Sequence, residues 1–152
     1  MTAPTRNDGP GLTRREELSV SSAAMSSAPW KAAAATGVVV TGADIALHAM
    51  GGHLGLAPSL SAGAVALFAV AGGGALVRSQ SGRAMRWARA NPWRFALLPG
   101  AAAAIIVFVL SVVIGTSGVF GGAFTALWHG AVAYGVTGLT GTLAGGRNRR
   151  RA

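Results

Sequence analysis

Residues 78–94 read RSQSGRAMRWARANPWR, a segment with five arginines and no acidic residue between two apolar runs, 60–77 and 95–115. The other Lys and Arg residues fall in the two tails: Arg6, Arg14, Arg15 and Lys31, then Arg147, Arg149, Arg150 and Arg151. The connections near 51–59 and 116–118 contain neither. Basic residues are retained on the cytoplasmic side of a membrane. The two tails and the central segment are basic, whereas the two connections between them contain no Lys or Arg. If every basic segment lies on the cytoplasmic side, both tails do, and the number of membrane spans is even.

The apolar runs predict an all-α membrane protein with four transmembrane helices, arranged as two antiparallel hairpins in one bundle. The spans cover about 32–50, 60–77, 95–115 and 119–144, inside a membrane domain of residues 31–146. Each is close to the roughly 20 residues that cross a bilayer. Charged residues make up only 11% of the chain, against about a quarter in soluble domains. The Ala, Gly, Val and Arg bias indicates a bacterial protein, hence a multi-pass protein of the cytoplasmic (inner) membrane.

Both tails are predicted to lie in the cytoplasm with the basic loop 78–94. Residues 1–30 are rich in Ser, Thr, Pro and Gly, a composition that predicts disorder. Within them, Thr13-Arg14-Arg15-Glu16 is a capping-box pattern that could start a short helix. Residues 147–152 form a short basic tail.

Polar residues inside the spans are the first candidate site. Asp44 and His48 are four residues apart in span 1, and His129 and Tyr134 lie at comparable depth in span 4. Ionisable groups in a membrane are costly and therefore face protein or water. The favoured interpretation is a hydrogen bond that joins spans 1 and 4. Less favoured are a proton or cation relay, a water-filled dip near the outer surface and, least of all, a metal site.

Small residues at helical spacing mark a second feature, a packing face. Small side chains let membrane helices approach closely. Packing within the chain is favoured over a homo-oligomer interface. The predicted packing residues are Gly122, Ala126, Gly130, Gly141 and Gly145.

The third feature is a basic face on a short amphipathic helix within residues 78–94. We expect it to set the topology and to bind anionic lipid headgroups. Nucleic acid or an acidic protein is the less favoured partner. The basic residues of the segment are Arg78, Arg83, Arg86, Arg89 and Arg94.

The sequence carries no familiar catalytic motif, and its lack of Cys excludes a thiolate nucleophile or metal site. We predict no enzyme activity, no cofactor and no metal. The favoured function is an accessory or interaction subunit that associates through its helices with itself or with a larger membrane complex. In size, span count and basic tails the chain resembles the spread-type proteins of actinobacterial conjugative plasmids, which implies a role in plasmid transfer. Two more functions are compatible with the sequence: a small proton- or cation-linked transporter or pore that uses Asp44, and a holin-like protein.

Overall fold

A computed structural model of the chain describes residues 13–52, 55–78, 82–115 and 118–149. These residues form six helices: α1 (Arg14–Met25), α2 (Trp30–Met50), α3 (Leu56–Val77), α4 (Arg83–Ala90), α5 (Pro92–Val113) and α6 (Gly118–Arg149). The predicted helical class is therefore confirmed. Three of the helices, α2, α3 and α5, are long and apolar enough to cross a membrane. The chain is accordingly a membrane protein.

The helix bounds differ from the predicted spans at several ends. The third and fifth helices begin at Leu56 and Pro92, earlier than the predicted 60 and 95. The fourth predicted span lies within α6, which has 32 residues and is not one of the three apolar helices. Its Gly, Thr and His residues lower its average hydropathy. Residues 1–12 of the N-terminal tail and 150–152 of the basic tail lie outside the described residues.

The first helix, α1, occupies part of the tail that composition predicts to be disordered, so the structure differs from that prediction over residues 14–25. The capping box explains why a helix starts here. The Thr13 backbone N–H and hydroxyl both donate to Glu16 Oε2 at 2.8 Å, and the Glu16 N–H donates back to Thr13 Oγ1 at 3.4 Å. The two bonds donated by Thr13 lower the pKa of Glu16. The cap therefore weakens only when the pH falls far enough to protonate this carboxylate.

The third helix, α3, is the centre of the bundle. It packs against α2, α5 and α6, and α5 also packs extensively against α6. By contrast, α2 contacts α3 alone among the described helices. Span 1 and span 4, which the polar residues predict to be neighbours, are therefore not in contact. The reason is that α3 and α5 occupy the positions beside α6.

Glycines set the distance between the helices of two packed pairs, α2 with α3 and α5 with α6. A Cβ on Gly63 would lie 2.8 Å from the Gly37 carbonyl oxygen, and a Cβ on Gly37 would lie 3.0 Å from the Gly63 oxygen. The same reciprocal approach joins Gly100 and Gly130, at 3.1 and 3.0 Å. The backbones of α2 and α3, and of α5 and α6, thus touch at these two points. Such close approach is how apolar helices gain packing energy without a hydrophobic driving force.

A third tight contact joins three helices at Gly72 of α3, Pro99 of α5 and Thr137 of α6. A Cβ on Gly72 would lie 2.8 Å from Thr137 Oγ1 and 2.9 Å from Pro99 Cγ. The Thr137 hydroxyl is fully buried and has no hydrogen-bond partner in the described structure. Its side chain therefore fills space at this junction, while the buried hydroxyl without a partner lowers the stability of the fold.

At one end of the bundle, α1 and α4 lie against each other and against the start of α5 and the end of α3. We call this the basic end. Buried side chains from these elements, from the connection between α1 and α2 and from the start of α2 form a continuous cluster: Ala24, Met25, Ala28, Ala33, Ala71, Ala75, Leu76, Met85, Ala88 and Phe95. The other end, where α2 and α5 finish and α3 and α6 begin, is called the opposite end. Tail and loop segments at the basic end are thus folded onto the membrane helices.

Candidate functional site

Asp44 is held by two side chains near the opposite end. The Ser59 hydroxyl, on α3, lies 2.6 Å from Asp44 Oδ2. His48 Nδ1 lies 3.2 Å from the same oxygen and 2.8 Å from the Asp44 carbonyl oxygen. Because a carbonyl only accepts, Nδ1 carries a proton that it shares between the carbonyl and the carboxylate. Asp44 therefore links α2 to α3.

Ser59 is fully buried, and its hydroxyl also lies 2.7 Å from the Gly55 carbonyl oxygen. One hydroxyl proton thus faces two acceptors. A hydroxyl placed in this way joins the start of α3 to Asp44 of α2.

His129 and Tyr134 do not join this cluster. His129 Nδ1 donates to the Thr125 carbonyl oxygen at 2.8 Å within α6. Tyr134 instead packs its ring against Trp93, with the ring centroids 5.4 Å apart and the planes tilted by 51°. The predicted four-residue polar cluster is therefore divided into the pair on α2 and two separate environments on α6. The described residues contain no group of three or more His, Asp or Glu placed to hold a metal ion.

His129 lines a cavity of about 230 Å³ at the opposite end. The cavity lies between α3, α5 and α6, and α2 does not contribute to it. Its lining consists of Ala57, Pro58, Ser61, Ser111, Gly115, Thr125 and His129. The hydroxyl residues of this lining were not predicted from the sequence, because Ser61 lies at the edge of a predicted span and neither Ser111 nor Thr125 stands out by spacing. The sequence feature that could have indicated these lining residues is the presence of hydroxyl side chains near the ends of three predicted spans.

Four of the five predicted packing residues face neighbouring helices. Gly122, Gly130, Gly141 and Ala126 are all buried. A Cβ added to any of the three glycines would lie within 3.1 Å of an atom of α5 or α3. Gly145 is exposed, with open space around it. The Gly141–Gly145 pair therefore does not act as one packing motif within the chain.

The predicted basic face is divided between structural and exposed arginines. Arg89 donates from Nε to the Leu76 carbonyl at 3.2 Å and from Nη2 to the Arg78 carbonyl. Both carbonyls belong to the end of α3, where unpaired carbonyls and the helix dipole favour a cation. Arg94 is exposed and forms an ion pair with Glu17 of α1. Arg78, Arg83 and Arg86 remain exposed.

The chain matches no protein family, and comparisons with curated proteins and with solved structures found no match either.

We predict that Asp44→Ala will lower the free energy of unfolding by only about 0.6–1.7 kcal/mol, the range of hydrogen bonds between membrane helices. The loss is small because Ser59 keeps the Gly55 carbonyl as an acceptor. Reversible unfolding in mixed micelles would measure it, with Asp44→Asn as the control that retains an acceptor oxygen. A loss of about 3 kcal/mol or more, on the scale of removing one partner of a buried pair, would show that Asp44 is more than a link.

Proposed function

We propose that this protein is an accessory or interaction subunit of a bacterial inner membrane, which acts without catalysis by associating through its helices with another membrane protein. The observation that carries the proposal is the one-sided packing of α2. Only 11% of its apolar stretch is buried, against 44% for α3 and 33% for α5. An outer helix that contacts a single neighbour offers most of its surface to lipid or to a partner.

The outward side of α2 favours a partner. Val38 and Val39 are strongly exposed there, and Gly42, about one turn further along the helix, has nothing within 4 Å of its would-be Cβ. Inside the bundle, glycines of this kind allow the contact between Gly37 and Gly63. Gly42, an exposed glycine on the same helix, therefore favours a close helix contact outside the bundle.

We further propose four spans as two antiparallel hairpins, with both termini and residues 78–94 in the cytoplasm. Support comes from α6, whose 32 residues would extend about 48 Å at 1.5 Å per residue. The outward side of α6 is apolar: Phe120, Phe124, Leu127, Trp128, Leu139 and Leu143 are exposed. Its buried side carries small or polar residues, such as Gly130 and Thr137. A helix that turns apolar residues outward suits a lipid environment.

The exposed arginines of the basic end would then face anionic lipid headgroups. Each basic residue near such a surface contributes about 1 kcal/mol of attraction. Arg78, Arg83 and Arg86 are available for this. Arg89 is held by backbone carbonyls, and Arg94, although exposed, is paired with Glu17. Nucleic acid is the less favoured occupant of the same surface.

Reporter fusions would test the topology. Fusions after residues 85 and 150 are expected to report the cytoplasm, and fusions after residues 55 and 117 the opposite side. The physical reason is the retention of the basic segments in the cytoplasm. An external signal from the fusion at 85, or a cytoplasmic one at 117, would contradict the four-span arrangement.

Photo-crosslinking in native membranes would test the interaction role. A photoreactive residue at Val38 or Val39 is expected to give one discrete protein adduct, either a second copy or a larger membrane protein. The control is Ile105, which is 65% exposed on α5 and is expected to label lipid. Adding Gly42→Leu should remove the protein adduct, since the side chain would block close approach. Lipid adducts alone from both α2 positions would refute the proposal.

A further inference from the structure

The first half of α1, residues 14–19, is tied to the membrane helices by one polar contact. It is the ion pair of Glu17 with Arg94, near the start of α5. Among the described residues, no other hydrogen bond or ion pair joins α1 to another helix. The side chains around Glu17 are exposed, whereas the last turn of α1 buries Ala24 and Met25. Detaching the first half therefore breaks this ion pair and exposes none of the fully buried side chains of α1.

Arg94 lies at a level that lipid headgroups reach. It directly precedes the apolar run 95–115, and its side chain is 63% exposed even while paired. The neighbouring Trp93 is also exposed, and Trp side chains prefer the headgroup level. Because arginine pairs with phosphate as readily as with carboxylate, an anionic headgroup offers Arg94 the same kind of partner as Glu17.

The two partners of Arg94 compete on similar terms. An exposed ion pair contributes little stability, and the attraction of one arginine to an anionic lipid surface is of the same order. In the docked state, the charge of Glu17 cancels that of Arg94, so the pair gains nothing from such a surface. In the released state, Arg94 gains the attraction and Glu17 moves away from the like charge of the lipid. The balance between the docked and released states therefore depends on the charge of the lipid.

We propose that α1 is a clasp that anionic lipid opens: a headgroup takes Arg94 from Glu17, and the first half of α1 leaves the bundle. Release adds Arg94 to the arginines of the basic end that are available for lipid. The inference rests on the proposed placement of the basic end at an anionic lipid surface. It does not depend on the partner proposed for α2.

The test measures the distance between spin labels at Leu18→Cys of α1 and Thr142→Cys of α6 in the full chain, which has no native Cys. Both positions are exposed. In phosphatidylcholine nanodiscs, a narrow distance distribution is expected to dominate. Phosphatidylglycerol nanodiscs at the same ionic strength should add a broad component. The ratio of released to docked chains should rise about fivefold, the factor that corresponds to the attraction of one arginine.

Matched variants separate this exchange from a general effect of lipid charge. Arg94→Gln should release the first half of α1 in both lipids and abolish the difference between them, because no arginine remains to move from carboxylate to lipid. Glu17→Gln should do the same, since Arg94 is then available to lipid in either state. Arg86→Gln removes an exposed arginine of α4 and should retain the response. Labels at Ala90 and Thr142 should keep one distance in both lipids, which would show that the bundle stays intact.

Two results would overturn the proposal. One is an equal ratio of released to docked chains in the two lipids when Glu17 and Arg94 are intact, and the other is a lipid response that persists in Arg94→Gln. Relaxation of the label at Ala90 by nickel-chelating lipid headgroups reports separately whether the basic end lies at the lipid surface. If it does and the ratios are equal, the clasp alone is wrong. If there is no relaxation, the proposed placement of the basic end is wrong as well.

Discussion

Gly130→Ala is expected to lower the free energy of unfolding by about 1–3 kcal/mol, the usual cost of adding a methylene to a packed interior. The new Cβ would lie 2.7 Å from Ala104 Cβ and 3.0 Å from the Gly100 carbonyl oxygen. Neither neighbour is the end of a flexible side chain. Since both contacts are to α5, the helices α5 and α6 must separate to admit the methyl group.

Gly135→Ala is the matched control, five residues further along α6. Nothing lies within 4 Å of the Cβ position of Gly135. The substitution should therefore leave packing intact and gain up to about 1 kcal/mol from helix propensity. Unfolding in mixed micelles, followed by circular dichroism, would compare the two variants. Equal stability of both would mean that α5 and α6 do not touch at Gly130.

The periodic and compositional features of the chain were predictable from sequence because they depend on local chemistry. The Thr13–Glu16 capping box needs only neighbouring residues, and the start of α1 follows it. Apolar length likewise located the three helices able to cross a membrane. Depth along a span was less informative, because it says how far a residue lies from a helix end and not which helix lies beside it. His129 could therefore be placed near the level of Asp44 and yet belong to another site.

Which side chains contact each other depended on features that the spacing of residues in the sequence does not show. The early start of α3 at Leu56 placed Ser59 opposite Asp44, whereas the predicted start at 60 left this serine in a loop. Tyr134 was assigned to the polar site for its hydroxyl, but its ring packs against Trp93. For the arginines, the sequence showed a common charge but not which of them a carbonyl or Glu17 would engage.

The arrangement of α2 leads to the second prediction, which replaces the expected contact between spans 1 and 4. Cysteines introduced at Thr41 and Gly63 are expected to cross-link nearly completely on mild oxidation. The would-be Cβ of Gly63 lies 3.2 Å from Thr41 Cβ and 2.8 Å from the Gly37 carbonyl oxygen. The two helices must therefore separate slightly to admit it, which brings the Cβ atoms to the usual separation of about 3.5–4.5 Å in disulfides. The chain has no native Cys, so no other disulfide competes.

The control pair, Asp44→Cys with His129→Cys, is expected not to cross-link, because α2 and α6 are not in contact among the described residues. Mobility on a non-reducing gel reports both results. Cross-linking of the control pair, with none between positions 41 and 63, would place α2 against α6 and reunite Asp44 with His129. The cavity beside His129 would then have a carboxylate nearby, and a proton or cation relay would become the better explanation of the polar residues. If instead the 41–63 pair links and the control does not, Asp44 serves α2 and α3 alone, and the outer side of α2 remains the surface proposed to engage a partner.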